Sequence, residues 1–367
     1  MFRFSILFLL SLSASADVLD RRNSSPSISP IVTLSRILRT TLLLSAVFLA
    51  VCLVAMMLGP GEVDLHSLIR RSLAVTQGAD SGLDATEATI LFSIRLPRIL
   101  FAGVVGASLA AAGAIFQSLL RNPLADPYIL GISGGAAVGA IVGILIGAAA
   151  VPFGIPGLAF LGSLLTIVLV FGVSNMRTDV QSNTLLLTGV IVNAFFSAII
   201  LFLVSTSSDA QLHSVLFWLM GDLSFAEGRE VLLTGIFLAA GFLVMTVHAR
   251  SLNLIVTGEE TAMQLGVDVE RTKKILFVTA SMVTAVAVSV SGTIGFVGLI
   301  IPHVLRILLG PDHRLLLPAS ILFGGTFLVA ADAVARTVMA PVELPVGVVT
   351  ALCGAPYFLY LLRRRPV

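Results

Sequence analysis

The sequence predicts an all-α fold, a polytopic membrane protein of about ten transmembrane helices. Three observations predict it. The chain is 57% hydrophobic and only 11% charged, where soluble domains carry roughly 25% charged residues. Its mean hydropathy is +1.05. Apolar runs near the length that spans a bilayer, roughly 20 residues, recur from end to end. The two cysteines, Cys52 and Cys353, both fall inside apolar runs, so no disulfide framework is expected.

The runs fall at 38–59, 95–119, 128–150, 155–174, 184–206, 231–250, 273–293, 296–310, 315–335 and 345–362. The second ends at an Asn122-Pro123 step. The third carries Gly135, Gly139, Gly143 and Gly147 at four-residue spacing, a stripe that lets helix backbones approach where lipid gives no hydrophobic drive. The eighth is short and interrupted by Pro302, so its limits are soft. RILFAGVVGASLAAAGA from Arg98 echoes KILFVTASMVTAVAVSV from Lys274. Segments two and seven would cross in opposite directions, so the echo reads as an inverted-topology repeat, with chance likeness of two Ala/Val-rich helices as the alternative.

An even number of crossings puts both ends on one side. With that side cytoplasmic, the inside holds Arg36, Arg39, Arg121, Arg177, Arg250, Arg271, Lys273, Lys274, Arg306, Arg314 and Arg363 to Arg365. The outside holds Arg70, Arg71, Arg95, Arg98, Arg229 and Arg336 among more acidic residues. The positive-inside bias favours this orientation. Residues 1–35 stand apart as an N-terminal extension: FRFSILFLLSLSASA has the form of a signal peptide, or else of a misassigned start before the polar linker RRNSSPSISP. The transmembrane body is 36–367.

Enzymatic chemistry finds little support. There is no G-x-x-x-x-G-K-[ST] loop, no H-E-x-x-H, no Cys/His cluster of zinc spacing and no G-x-S-x-G elbow. No cofactor and no metal site is expected. Ion-coupled carriers need ionisable relays within their spans. The best candidate here, Asp332, stands four residues before Arg336, the spacing of a structural ion pair. The chain thus reads as a pathway without its own engine.

One polar stretch interrupts the apolar chain. TGEETAMQLGVDVER, 257–271, places Glu259, Glu260, Asp268, Glu270 and Arg271 within fifteen positions. Thr257 and Glu260 have capping-box spacing, Ala262, Met263 and Leu265 continue a helix, and Gly266 stops it. A short cytoplasmic helix follows, either a plain solvated loop element or a docking surface.

Longer motifs resolve that choice by resemblance. RLPRILFAGVVGASLAAAGAIFQSLLRNPLADPYILGISGGA (95–136), GEETAMQLGVDVER (258–271), GTIGFVGLIIPHVLR (292–306), DHRLLLPAS (312–320), ADAVAR (331–336) and ELPVGVVTALCGAPYFLYLL (343–362) closely resemble the FecCD-type permeases of ABC importers for iron-siderophores, haem and cobalamin. The resemblance implies a homodimer of ten-helix subunits with its pathway on the two-fold axis. It implies cytoplasmic ABC ATPase partners and a periplasmic or lipid-anchored substrate-binding protein. On this pattern Gly258, Glu259, Glu260, Ala262, Leu265 and Gly266 form the ATPase-coupling helix. Arg95, Arg98 and Arg336 face the periplasm and receive acidic residues of the binding protein. Asn193, Phe196 and Ser197, on the fifth helix, are pathway candidates. The expected function is ATP-driven import of iron chelates by alternating access. Cobalamin import, or an ATPase-independent channel or ion-coupled carrier, are the alternatives.

Overall fold

A computed structural model of the chain describes residues 32–59, 89–128, 130–174, 182–224 and 227–364. Among the described residues there are thirteen α-helices and no strand. They are α1 (Leu34–Met57), α2 (Leu96–Leu119), α3 (Ile132–Leu145), α4 (Gly154–Ser174), α5 (Ser182–Thr206), α6 (Asp209–Met220) and α7 (Gly228–Val247). There follow α8 (Ala249–Thr257), α9 (Glu259–Gln264), α10 (Val269–Ser291), α11 (Val297–Leu309), α12 (His313–Thr337) and α13 (Val346–Arg364).

Seven helices are long and apolar enough to cross a membrane: α1, α2 with the π-helical turn before it, α4, α5, α7, α10 and α12. Three shorter apolar helices, α3, α11 and α13, complete the ten expected runs. The expected third run is cut back, because Gly147 has a left-handed φ of +73° and lies beyond the helix end. Helix α6 and the amphipathic α8 were not expected as separate helices.

Salt bridges and hydrogen bonds between helix ends sort the bundle into two faces. At one, Arg121, just past α2, and Lys273, near the start of α10, both pair with Glu259. Arg36, at the start of α1, donates to Leu309 O at the end of α11. At the other, Arg95 donates to Met56 O near the end of α1, and Arg98 pairs with Asp332 near the end of α12. Helices α2 and α10 therefore run antiparallel, as the inverted echo requires. Among the described residues, the first face carries most of the basic side chains, Arg95, Arg98 and Arg336 lying at the other.

Helix α2 is the hub. Nearly every residue of it is buried, and it packs on α10, α11 and α12. Its small residues make this possible: an added Cβ at Gly113 would collide with the Gly298 backbone of α11, and one at Gly106 with the Gly324 backbone of α12. The glycine stripe of α3 does the same against α4, Gly135 meeting Gly162 and Thr166, Gly139 meeting Leu158, and Gly143 meeting Ile155. Backbone cannot yield as a side-chain tip can, so Gly113→Val is expected to destabilise the protein by at least about 1–3 kcal/mol. Thermal unfolding in detergent would show it, and an unshifted midpoint would mean that α2 and α11 are less tightly apposed.

Candidate functional site

At the basic face, α8 and α9 form a compact projection. Ala262 is fully buried and joins Ile255 and Val269 in a small apolar cluster, with Leu254 and Val267 against it. The end of α9 is a Schellman stop: Gly266, at φ +82°, donates to Met263 O at 2.9 Å, and Val267 donates to Ala262 O at 3.0 Å. The start differs from expectation. Thr257 is the last residue of α8 and its hydroxyl donates to Leu254 O, so it makes no capping box with Glu260. Gly258 is the N-cap instead, because α8 runs on to the residue before it.

The two glutamates of α9 divide the work. Glu259 is held at 2.7 Å from Lys273 and 3.3 Å from Arg121, and Arg121 also donates to Ile255 O at 2.7 Å. Glu260 is exposed. Met263 and Leu265 are 56% and 62% exposed. The projection thus has a fixed inner side and an open outer side of two apolar residues beside an acid.

Sequence reasoning missed the polar cluster beneath this element. Asn253 of α8, Asp312 and His313 at the start of α12, and Ser118, Gln117 and Arg306 interlock there. Scattered histidines gave no signal in sequence, because the partners of His313 lie 60 and 195 positions away.

At the opposite face the three arginines are not on the open surface. Arg95, Arg98 and Arg336 are 3%, 6% and 2% exposed. Arg98 holds Asp332 at 3.0 Å and Glu343 at 2.6 Å. Arg95 donates to Met56 O and Gly59 O, and Arg336 to Leu58 O and Ala55 O. Arg336 Nε lies 2.9 Å from Asp332 Oδ2, yet out of line for a hydrogen bond, so that contact is ionic only. The cluster ties the ends of α1, α2 and α12 together. Of the two carboxylates on Arg98, Glu343 is the more open, with its side chain 33% exposed against 1% for Asp332.

The fifth-helix candidates separate. Phe196 is buried and Asn193 half-buried, both packed on Gly134 of α3, while Ser197 is exposed and its hydroxyl donates to Asn193 O. A cavity of about 530 Å³ lies elsewhere, lined by Asp126, Tyr128, Met220, Phe296, Leu299 and Val348 among others. Burial pushes the Asp126 pKa up to about 6, against the hydrogen bond it accepts from Tyr128 N. A carboxyl whose folded pKa is raised favours the folded state when protonated, so stability falls as pH rises from about 4 to about 6. Asp126→Asn removes that loss. Its unfolding free energy should match the parent near pH 4 and exceed it above pH 6 by on the order of 2–3 kcal/mol. A pH-independent difference would sink this account.

Ten apolar helices built around a buried small-residue hub, with a braced projection at the basic face, define a multi-pass membrane transport protein. The chain belongs to the FecCD transport family, whose model matches residues 42–364. It is 47% identical over 286 residues to the cobalamin import system permease protein BtuC of Halobacterium salinarum, covering 78% of this chain and 76% of that one. It is 40% identical over 327 residues to the hemin transport system permease protein HmuU of Yersinia pestis, covering 87% and 95%. Among solved structures it matches an inward-facing putative metal-chelate type ABC transporter at 31% identity and a TM-score of 0.77, covering 89% and 99%.

Proposed function

We propose that this chain is the permease subunit of a binding-protein-dependent ABC importer for bulky metal chelates, with iron chelates, haem included, as the first reading. The observation that carries it is the α8–α9 projection: an open apolar and acidic surface, rigidly capped and braced, on the basic face of the bundle. On this reading that face is cytoplasmic, the membrane is the cell's inner or plasma membrane, and ATP is hydrolysed on partner subunits docked at α9. A second copy of the chain faces the exposed side of α5, where the apolar Ile191 and Phe195 lie one turn apart and Ser197 is exposed on the other flank. Asn193 and Phe196 hold that helix in place against α3. A periplasmic or lipid-anchored binding protein docks over Arg95, Arg98 and Arg336, its carboxylate replacing Glu343 on Arg98. Arginine–carboxylate pairs suit this exchange because they are directional and often bidentate.

Cobalamin is the second reading, favoured by the 47% identity to a cobalamin permease. The test reconstitutes the chain with its ATPase and binding protein in liposomes and compares uptake of a labelled ferric chelate panel, including haem, with labelled cobalamin. ATP-dependent accumulation of a ferric chelate supports the first reading, and cobalamin alone the second. Uptake by the chain without any ATPase makes it an autonomous channel or ion-coupled carrier instead.

A further inference from the structure

We propose that His313 is a positioning residue that transmits movement of the α8–α9 projection to the wall of the cavity, along the hydrogen-bonded chain Asn253–His313–Ser118–Arg306–Gln117–Leu299. The inference rests on the reading of that projection as the ATPase-docking element.

The chain starts where α8 meets the beginning of α12. Asn253 Nδ2 donates to Asp312 Oδ1 at 2.8 Å. Its Oδ1 accepts from both His313 N at 2.9 Å and His313 Nδ1 at 2.6 Å. One amide therefore grips the N-cap of α12 and its first residue together. The direction of these Asn253 bonds is forced. Asp312 is ionised at neutral pH: burial opposes its charge, but hydrogen bonds from Arg314 and Asn253 hold its pKa near 2. A carboxylate only accepts, so the Asn253 amide nitrogen must point to it and the oxygen to the imidazole.

With Nδ1–H spent on Asn253, a neutral ring offers Nε2 as an acceptor, 2.6 Å from Ser118 Oγ. The Ser118 proton lies between two acceptors, this Nε2 and Ala114 O at 2.8 Å. Arg306 then bridges Ser118 and its neighbour Gln117, at 3.5 Å and 2.8 Å. Finally Gln117 Nε2 donates to Leu299 O at 2.9 Å and Gly298 O at 3.3 Å, in the first turn of α11. Leu299 and Phe296 line the cavity from that turn.

Two features make this chain a transmitter and not mere packing. Beyond Leu252 the projection has its own small apolar cluster, separate from the main core, so polar bonds to Asn253, Arg121 and Lys273 carry much of its attachment to the bundle. His313, Ser118 and Gln117 are also buried, at 2%, 5% and 2% exposure, where no water replaces a broken bond cheaply. A displacement of α8 must then either move α12, the end of α2 and the turn of α11 with it or leave buried donors unpaired.

The experiment uses the full importer in liposomes and measures substrate uptake per ATP hydrolysed. His313→Phe keeps the ring volume and removes both ring hydrogen bonds. Gln117→Leu cuts the far end of the chain, away from the docking surface. Both variants are expected to hydrolyse ATP within about twofold of the parent while uptake per ATP falls about tenfold, inside the range of coupling between linked sites. An unchanged ratio in either assembled variant overturns the proposal, as does a fall in hydrolysis and uptake by the same factor. If His313→Phe fails to assemble, Gln117→Leu decides alone by the same ratio. A parent chain that binds no ATPase and imports nothing sinks the importer reading itself, and this inference with it.

Discussion

Asp332→Ala is expected to destabilise the protein by about 3–5 kcal/mol, the cost of leaving buried charge uncompensated. Asp332 is wholly buried and sits between two guanidiniums, 3.0 Å from Arg98 and 2.9 Å from Arg336. Without it, Arg98 keeps only Glu343, and Arg336 keeps only the carbonyls at the end of α1. Two like charges then face each other inside the bundle. Thermal unfolding in detergent should show the loss as a large drop in midpoint. Replacing Arg98, Asp332 and Arg336 together by apolar residues should cost less than Asp332→Ala alone, since no orphan charge remains. Equal midpoints for Asp332→Ala and the parent would show that the cluster holds nothing together.

Glu260→Arg is expected to abolish most ATP-driven uptake, by tenfold or more, with membrane insertion and thermal stability unchanged. Glu260 is exposed in the first turn of α9, beside Met263 and Leu265. Reversing its charge therefore touches no internal partner, and it places a cation at the positive end of a helix dipole on the docking surface. The few contacts that dominate an interface cost about 2 kcal/mol or more each when lost, enough for the loss expected if Glu260 is one of them. Glu259→Arg should behave differently. Glu259 is braced by Lys273 and Arg121, so its reversal should loosen the projection itself. Normal transport by Glu260→Arg would remove α9 as the coupling surface.

Much of the fold was legible because each apolar run needs only its own residues to declare itself. The run at 273–293 became α10, and that at 315–335 became α12, within a few residues at each end. The stop at Gly266 was equally local, since a left-handed residue after a helix is a property of glycine itself. The capping box was not so safe. Its spacing was present, but α8 consumes Thr257, and the existence of α8 was not visible in the apolar pattern. The arginines show the same limit more sharply. Their placement away from the basic face and the pairing of Arg336 with Asp332 were readable, whereas their burial and their contacts with Glu343 and the end of α1 were not.

The sequence by itself determined the class of the protein, its run of helices, the short polar element and the family, all of which rest on composition, periodicity and contiguous motifs. Apart from the Asp332–Arg336 pair, which its four-residue spacing announced, only the tertiary structure decided what the charged residues touch. Asn253 meets His313 across 60 positions, Ser118 meets it across 195, and Arg98 meets Asp332 across 234. Helical periodicity predicts neighbours three or four residues apart. Contacts at such separations arise from how whole helices cross, and here the small residues of α2 and the helices packed on it set those crossings.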